Sequence, residues 1–333
     1  MPSSPNSDLP QPPEFADIVD AAERLSGHAI YTPLVESAQL SEIAGGRILI
    51  KAEVLQHTGS FKFRGAFNRI SRLSEPDRAR GIVAFSSGNH AQAVAAVGAL
   101  LDVPATVVMP SDAPTMKLDA TRARGAEVVL YDRESESRED VAAAIVARTG
   151  ATMIPPFDDP FIIAGQGTVG YEIAAQAAAL GAGLDAVLVP CGGGGLISGI
   201  AIAVGKNNPD TEFWAAEPEG FDDTARSLTS GRRETVIPGA NSFCDALLVP
   251  TPGRITFAVN SRLVAGGLAI PDREVGRAMA AAFRHLKLVV EPGGAIALAA
   301  ALGGAFDCRG KTVAVVCSGG NVDPETFAAA IHG

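Results

Sequence analysis

The chain has 333 residues, of which 47% are hydrophobic, and it carries a formal net charge of −10. This length predicts two lobes, with room for a buried site between them. The negative charge argues against nucleic acid or an anionic membrane as a partner, because phosphate binding needs a concentrated positive field. We therefore expect a small-molecule ligand.

The sequence is typical of a cytoplasmic protein. Its four cysteines form no C-x-x-C pair, which favours reduced thiols. Residues 1–13 are rich in serine and proline and lack a basic segment, which predicts a disordered tail and no signal peptide. Apolar stretches such as 93–101 stop well short of the ~18 residues that a membrane span requires. No transmembrane helix is expected.

Short β-branched runs alternate with alanine-rich helical patterns along the chain. The predicted strands are residues 48–53, 82–86, 105–109, 127–131, 186–190, 213–217, 288–291 and 312–317. The predicted helices are residues 63–73, 91–101, 115–124, 138–148, 168–180, 196–207, 273–286 and 295–302. Strand alternating with helix implies crossover connections, and therefore predicts an α/β fold with parallel sheets flanked by helices.

The first motif with chemical character, T-G-S-F-K-F-R-G-A at residues 58–66, follows a predicted strand. Lys62 lies there between two phenylalanines, which should partly desolvate its amine. Desolvation lowers the pKa of a lysine and frees the amine to attack an aldehyde. The alternative is a surface lysine whose stem packs on the two rings.

A second motif, S-S-G-N-H at residues 86–90, joins a predicted strand to a predicted helix. A strand-to-helix turn rich in donors suits a carboxylate. The turn also suits a helix cap made by Ser87 or Asn89. The two interpretations are compatible, because capping and ligand binding use different amides.

Four consecutive glycines at residues 192–195 follow a predicted strand and open a predicted helix. Such a loop lets backbone amides converge on a phosphate, although a flexible turn is the alternative. The dinucleotide pattern G-x-G-x-x-G/A fails at Ser198, and the pattern G-x-x-x-x-G-K-[ST] fails at Asn207. One cofactor, pyridoxal phosphate, offers both a phosphate for the glycines and an aldehyde for Lys62.

Together the motifs resemble the serine/threonine dehydratase and serine racemase family, which has the tryptophan synthase β-like, fold type II architecture. The segments SFKFRGA, SSGNHAQ, CGGGGL, AAEPEGFDD, VVEPGG and CSGGNVD occur in that family's order between about residue 30 and residue 323. The resemblance implies a large cofactor-binding lobe of residues 1–73 and 160–333, and a small mobile lobe of residues 74–159. It also implies a homodimer.

The resemblance assigns roles to residues of these motifs. Lys62 would be the Schiff-base lysine that also moves the Cα proton, and Ser87 would be the acid on the opposite face of the substrate. The cofactor-binding residues would be Phe61, Lys62, Asn89, Gly192, Gly193, Gly194, Gly195, Leu196, Glu291 and Ser318. The substrate-binding residues would be Ser86, Ser87, Gly88, Asn89, His90 and Arg138. A serine at the ring nitrogen, Ser318, would leave that nitrogen unprotonated and so favour elimination.

The acidic loop at residues 217–223 resembles the cation site of the metal-activated relatives. Glu217, Asp223 and the carbonyl of Phe221 would be the ligands. Hard oxygen ligands suit Mg²⁺, Mn²⁺ or Ca²⁺. The alternative is an acidic loop with solvated charges.

The activity that the resemblance implies is an ammonia-lyase, which converts L-serine, L-threonine or 3-hydroxyaspartate to a 2-oxo acid and ammonia. An amino-acid racemase is the alternative, and the sequence leaves the two open. β-Replacement and a non-enzymatic vitamin-binding role fit the motifs less well. Phe157 and Ala246 depart from some relatives at positions that border the substrate.

Arg138 bears on the choice of substrate. The run S-E-S-R-E at residues 135–139 resembles a segment whose arginine can reach a second substrate carboxylate, as in 3-hydroxyaspartate. A guanidinium fork binds a carboxylate bidentately. The alternative is an arginine in a surface helix turn, paired with Glu134 or Glu139.

Overall fold

The computed structural model describes residues 10–113 and 115–332. Most of the predicted disordered tail, residues 1–9, lies outside the described residues. The strands are β1 (Leu34–Glu36), β2 (Arg47–Ala52), β3 (Ile82–Phe85), β4 (Ala105–Pro110), β5 (Glu127–Tyr131), β6 (Thr152–Met153), β7 (Ala186–Pro190), β8 (Glu212–Pro218), β9 (Gly266–Ile270) and β10 (Thr312–Cys317).

Helices cover the strands on both sides. They are α1 (Phe15–Leu25), α2 (Ala38–Ala44), α3 (Lys62–Ile70), α4 (Glu75–Arg80), α5 (Asn89–Leu100), α6 (Thr115–Ala123), α7 (Arg138–Thr149), α8 (Pro160–Ala179), α9 (Gly195–Gly205), α10 (Asp223–Ser230), α11 (Arg254–Leu263), α12 (Asp272–Ala281), α13 (Pro292–Leu302) and α14 (Pro324–His332). Three short 3₁₀ turns lie at Glu53–Leu55, His57–Gly59 and Asp245–Leu247, and a π-helical turn lies at Ala282–Leu286.

One sheet has six strands in the order β1-β2-β10-β7-β8-β9, and all its pairings are parallel except that of β1 with β2. All five residues of β7 are buried. Along that strand Leu188 packs into one hydrophobic cluster, whereas Val187 and Val189 pack into another. A strand covered on both faces has a continuous apolar sequence, which is why β7 could be predicted from its sequence.

The second sheet has four parallel strands in the order β5-β4-β3-β6. All four fall within residues 82–153, inside the segment predicted to form the small lobe. The predicted α/β fold with parallel sheets flanked by helices is confirmed. The lobe boundaries and the mobility of the small lobe stay predictions.

Helix α8 positions two other helices by close glycine packing. A Cβ on Gly165 would lie 2.6 Å from the Cα of Gly65 in α3, and a Cβ on Gly199 in α9 would lie 2.5 Å from the backbone nitrogen of Gly167. Side chains at these positions would force the helices apart. The glycines therefore hold α3, which begins with Lys62, and α9, which begins in the glycine loop, against one support.

The predicted strand at 288–291 is wrong. Residues 287–290 form a loop after the π-helical turn, because Lys287 adopts a left-handed conformation (φ 60°) and ends the helix. Glu291 then becomes the N-cap residue of α13. The predicted helix at 168–180 begins eight residues earlier, at Pro160, where Asp159 caps it. Among the described helices, none is long and apolar enough to cross a membrane.

Candidate active site

A cavity of about 830 Å³ is lined by the segments that follow β3, β7 and β10. Ligands of open α/β sheets bind outside the carboxyl ends of the strands. The cavity brings together every residue predicted to bind cofactor or substrate, although the roles of these residues stay predictions. The residues are Phe61, Lys62, Ser86, Ser87, Gly88, Asn89, His90, Arg138, Gly192, Gly193, Gly194, Gly195, Leu196, Glu291 and Ser318.

Lys62 is the first residue of α3, and its amine faces the cavity. The Nζ donates a hydrogen bond to the carbonyl oxygen of Pro156 at 2.8 Å and lies 5.2 Å from the ring centre of Phe61. Burial lowers the pKa of Lys62 to about 8, against the opposing charge of Glu291. About a tenth of the amine is therefore neutral and nucleophilic at pH 7, far more than for an ordinary lysine.

A buried network of charges anchors the helical turn that carries Lys62. The Arg64 guanidinium forms bidentate pairs with Glu53, with both distances 2.8 Å, and with Glu172, at 2.6 and 2.9 Å. Lys51 also reaches Glu172, at 2.6 Å. Two cations and two carboxylates thus neutralise each other inside the protein, which buried charges require.

The glycine loop forms a cup at the N-terminus of α9. Within the described residues, the amides of Gly192, Gly193 and Gly194 donate to no other backbone group. The Thr256 hydroxyl donates to the carbonyl oxygen of Gly193 at 2.7 Å. Free amides at a helix N-terminus attract an anion, so the cup fits a phosphate.

Phe157 closes one side of this cup. A Cβ on Gly193 would lie 2.4 Å from atoms of the Phe157 ring, so only glycine fits at that position. The adjacent Asp158 accepts hydrogen bonds from the backbone amides of Arg254, Ile255 and Thr256, at 2.8 to 3.2 Å. Asp158 thereby fixes the helix whose Thr256 contacts the cup.

The turn at residues 86–90 contacts Glu291 in the cavity wall. The side-chain nitrogen of Asn89 donates to Glu291 Oε1 at 2.6 Å. Burial raises the pKa of Glu291 to about 8, although this hydrogen bond opposes the shift. Helix α5 begins at Asn89, and its N-cap is Gly88 without a side-chain cap. The predicted cap by Ser87 or Asn89 is therefore wrong, because glycine occupies the capping position.

His90 lies behind the turn. Its Nε2 is 2.8 Å from the carbonyl oxygen of Ile154. Burial and the nearby Lys62 charge lower the pKa of His90 to about 3. The imidazole is therefore neutral and donates to Ile154, which ties α5 to the segment that leads to Pro156.

Arg138 lines the cavity and also shows the surface pairing predicted as its alternative. Its Nε lies 2.9 Å from Glu139 Oε1, and its guanidinium lies 5.5 Å from the ring centre of Phe85. Its place in the cavity lining supports a role in substrate binding, and its pair with Glu139 supports the alternative of a surface arginine. Its predicted contact with a substrate carboxylate stays a prediction.

The predicted cation ligands lie away from the cavity lining. Glu217 accepts hydrogen bonds from the amides of Thr224 and Ala225, both at 2.8 Å, whereas Asp223 Oδ2 is buried without a partner in the described structure. Burial raises the pKa of Glu217 to about 8, helped by the Asp223 charge, and that of Asp223 to about 7. The alternative of solvated charges is wrong, because both carboxyl groups are buried.

Across the described ranges, no group of three His, Cys, Asp or Glu side chains is arranged to hold a metal ion. The set predicted from the sequence has two carboxylates and the carbonyl of Phe221. The structure therefore supplies a buried carboxyl pair with one free oxygen, and a cation there would need further oxygen ligands from water.

Sequence reasoning missed several polar residues of the cavity, including three that contact one another or a predicted residue. Lys117 and Asp245 both line it and form an ion pair at 2.8 Å, and Asn321 contacts Asn89 at 2.7 Å. Asn321 belongs to the quoted segment CSGGNVD, so a signal for it was present. The chain carries no local signal for the pair of Lys117 and Asp245, which lie 128 residues apart.

A desolvated lysine and a cup of backbone amides line one cavity beside parallel sheets flanked by helices, which is the arrangement expected of an enzyme that binds a phosphorylated aldehyde. The chain belongs to the family of pyridoxal-phosphate dependent enzymes, whose sequence model matches residues 25–319.

Among its relatives are two ammonia-lyases and a serine racemase. The chain is 42% identical over 319 residues to the L-threo-3-hydroxyaspartate ammonia-lyase of Pseudomonas sp., covering 96% of this chain and 98% of that protein. It is 41% identical to the L-threonine ammonia-lyase of Thermotoga maritima, over 92% of this chain and 75% of that protein. The structure of maize serine racemase matches with a TM-score of 0.90 at 35% identity, over 96% of this chain and 97% of that one. The predicted family and fold type are thus confirmed.

Proposed function

We propose that this chain is a pyridoxal-phosphate-dependent ammonia-lyase that removes water and then ammonia from a β-hydroxy amino acid. The observation that carries the proposal is the single cavity in which Lys62, the glycine cup and the turn at 86–90 face one another. The similarity to two ammonia-lyases over more than nine-tenths of the chain supports the same reaction. The products are a 2-oxo acid and ammonia.

Pyridoxal phosphate, when bound, supplies an electron sink that lets a proton leave the α carbon of the substrate. The free amides of the cup would hold its phosphate. Lys62 would hold its aldehyde carbon, and Phe61, Asn89, Glu291 and Ser318 would surround its ring. These residues fit the group because they combine an anion site, a desolvated amine and polar side chains within one cavity.

Residues of the chain carry out the proton transfer and hold the substrate. Lys62 takes the Cα proton, which it can do because its lowered pKa leaves a fraction of the amine neutral. The amides of Ser87 and of the first residues of α5 orient the substrate carboxylate, whereas the amide of Ser86 donates to the carbonyl oxygen of Val108 at 3.1 Å. His90 stays neutral, and so adds no second cation beside Lys62.

Among β-hydroxy amino acids, we propose 3-hydroxyaspartate as the preferred substrate. Arg124, Arg133, Arg138 and Lys117 all line the cavity, so its wall offers cations to a second carboxylate. The similarity to a 3-hydroxyaspartate ammonia-lyase supports this choice. L-Serine and L-threonine are the other candidates of the class.

A racemase activity on the same scaffold is the second candidate. Ser87 lines the same cavity as Lys62, and a racemase needs a second proton donor on the opposite face of the substrate. Ser87→Ala should then abolish racemisation and leave elimination measurable. Incubation with single stereoisomers, followed by chiral analysis of the recovered amino acid and assay of the oxo acid, separates the two activities. Oxo acid without inverted substrate in the unmodified protein would exclude the racemase.

The central test is covalent trapping. The purified protein should absorb visible light when loaded with pyridoxal phosphate, and borohydride should fix the cofactor on the peptide that contains Lys62. Lys62→Ala should lose both the trapped cofactor and turnover. Lys206→Ala provides a control, because Lys206 is exposed and lies outside the cavity lining. Trapped cofactor and turnover in Lys62→Ala would refute the proposal.

Four further parts of the proposal rest on the sequence. We propose that Glu217, Phe221 and Asp223 bind Mg²⁺, Mn²⁺ or Ca²⁺, supported by the buried carboxyl pair with one free oxygen. The protein would act as a homodimer in the cytoplasm. Residues 74–159 would be the small mobile lobe that closes on the substrate.

A further inference from the structure

Asn321 lies in the loop that follows β10, and its side-chain nitrogen donates two hydrogen bonds. One goes to the carbonyl oxygen of Thr58 at 2.7 Å, and the other goes to Oδ1 of Asn89 at 2.7 Å. The nitrogen of Asn89 donates in turn to Glu291 at 2.6 Å. One directed chain of hydrogen bonds therefore runs from the loop before Lys62 to the wall of the cavity.

The direction of this chain is fixed at its first member. The carbonyl of Thr58 can only accept, so the nitrogen of the Asn321 amide must face it. The second hydrogen of that nitrogen then points at Asn89, which can accept it only through its side-chain oxygen. The Asn89 amide is thus held with its nitrogen toward Glu291.

The loop that carries Thr58 is itself held rigidly. Thr58 adopts a left-handed conformation (φ 60°), and the amide of Gly320 donates to the carbonyl of Gly59 at 2.9 Å. A Cβ on Gly59 would lie 2.6 Å from Oδ1 of Asn321, so glycine is needed for the close approach. The loop therefore presents a fixed acceptor to Asn321.

An amide nitrogen carries two hydrogens, and in the described structure only one of those on Asn89 is used, by Glu291. Asn89 lines the cavity. We propose that Asn321 is a positioning residue. It holds the Asn89 amide so that Asn89 donates its second hydrogen to the hydroxyl oxygen on the cofactor ring. This inference rests on the proposed cofactor chemistry.

Asn321→Asp tests the inference, because it keeps the shape of the side chain and replaces the donor with an acceptor. The Asn89 amide should then turn its nitrogen toward the new carboxylate and its oxygen toward the ring. A buried hydrogen bond to a charged group contributes about 1.5–3 kcal/mol, so the affinity for pyridoxal phosphate should fall roughly ten- to a hundredfold. The ratio of the two main absorption bands of the bound cofactor should change as well.

Asn321→Ala separates this role from simple support of the loop. It removes the donor but leaves Asn89 free to keep its donating orientation, so its loss of cofactor affinity should be clearly smaller than that of Asn321→Asp. A residue that only supports the loop would show equal losses in the two variants, with the band ratio of the unmodified protein kept. That result would overturn the inference.

A second measurement needs no variant. Neutron diffraction of the unmodified protein with bound pyridoxal phosphate should show deuterium on the Asn89 atom that faces the ring. An oxygen there would also overturn the inference, even if the variants fail to fold. If the proposed function is wrong, the unmodified protein itself will bind no cofactor through Lys62, a result distinct from a change in the Asn321 variants alone.

Discussion

The amine of Lys62 and the carbonyl oxygen of Pro156 lie 2.8 Å apart. The next residue, Phe157, packs against Gly193 of the glycine cup. The residue two positions before Pro156, Ile154, accepts the hydrogen bond of His90. One short segment therefore contacts the lysine, the cup and the helix that begins at Asn89, so a displacement of this segment would disturb all three.

The pKa of Lys62 sets the pH dependence of cofactor capture. Only the neutral amine attacks an aldehyde, and burial lowers the pKa of Lys62 from 10.5 to about 8. Capture of pyridoxal phosphate by the cofactor-free protein should therefore accelerate about tenfold per pH unit below that value and level off above it. Stopped-flow absorbance across this range measures the rate.

Two variants sharpen this measurement. The pKa of Glu291 is also about 8, so its carboxylate charge, which raises the pKa of Lys62, develops in the upper part of this range. Glu291→Gln removes that charge, so the midpoint should move to lower pH. Glu219→Gln, on an exposed side chain, should leave it unchanged. A midpoint near 10.5, the ordinary value for lysine, would show that Lys62 is not desolvated.

The second prediction concerns the choice of substrate by Arg138. If its guanidinium binds the second carboxylate, Arg138→Ala removes a charged hydrogen bond of ~1.5–3 kcal/mol. At ~1.4 kcal/mol per tenfold, kcat/KM for 3-hydroxyaspartate should fall roughly ten- to a hundredfold. Threonine, which has a methyl group at that position, should be largely unaffected.

Arg148 is the matched control for Arg138, since it is an exposed arginine in the last turn of the same helix. Arg148→Ala should leave kcat/KM unchanged for both substrates. Equal losses of kcat/KM on 3-hydroxyaspartate and threonine in Arg138→Ala would count against the specificity role and would favour the surface pair with Glu139.

The third prediction concerns the buried carboxyl pair. A cation bound to the native state stabilises it by mass action, so adding Mg²⁺ or Mn²⁺ to chelator-treated protein should raise the melting temperature. Glu217→Gln should abolish this response, whereas Glu219→Gln, in the same loop but exposed, should keep it. An unchanged melting curve in chelator, with no metal found by elemental analysis, would remove the site.

The fourth prediction concerns the buried charge network. Arg64→Met leaves Glu53 and Glu172 without their shared partner, and breaking a buried pair typically costs about 3–5 kcal/mol. Arg309→Met removes an exposed pair with Asp307, which should cost far less stability because water and salt screen such pairs. Urea denaturation of both variants measures the difference. Equal and small losses would mean that the network does not stabilise the fold.

Local patterns in the sequence determined much of the fold and part of the site. The bounds of β5, β7 and β10 match their predicted ranges, because each strand is a short β-branched, apolar run. Of the three, β7 and β10 are largely buried, whereas β5 is mostly half-buried or exposed. The four glycines predicted a cup at a helix N-terminus, and α9 begins there. These features depend on neighbours within about ten residues, which is the range a sequence pattern can report.

Only the tertiary structure decided the long-range relationships. The partners of Asn321, Thr58 and Asn89, lie 263 and 232 residues away along the chain. The residues before Glu291 read as a strand, yet the left-handed Lys287 turns them into a loop that delivers Glu291 to the cavity. The shifted pKa values of Lys62, Glu291, Glu217 and Asp223 follow from desolvation by burial. Desolvation depends on which distant segments cover a side chain, and no local pattern records that.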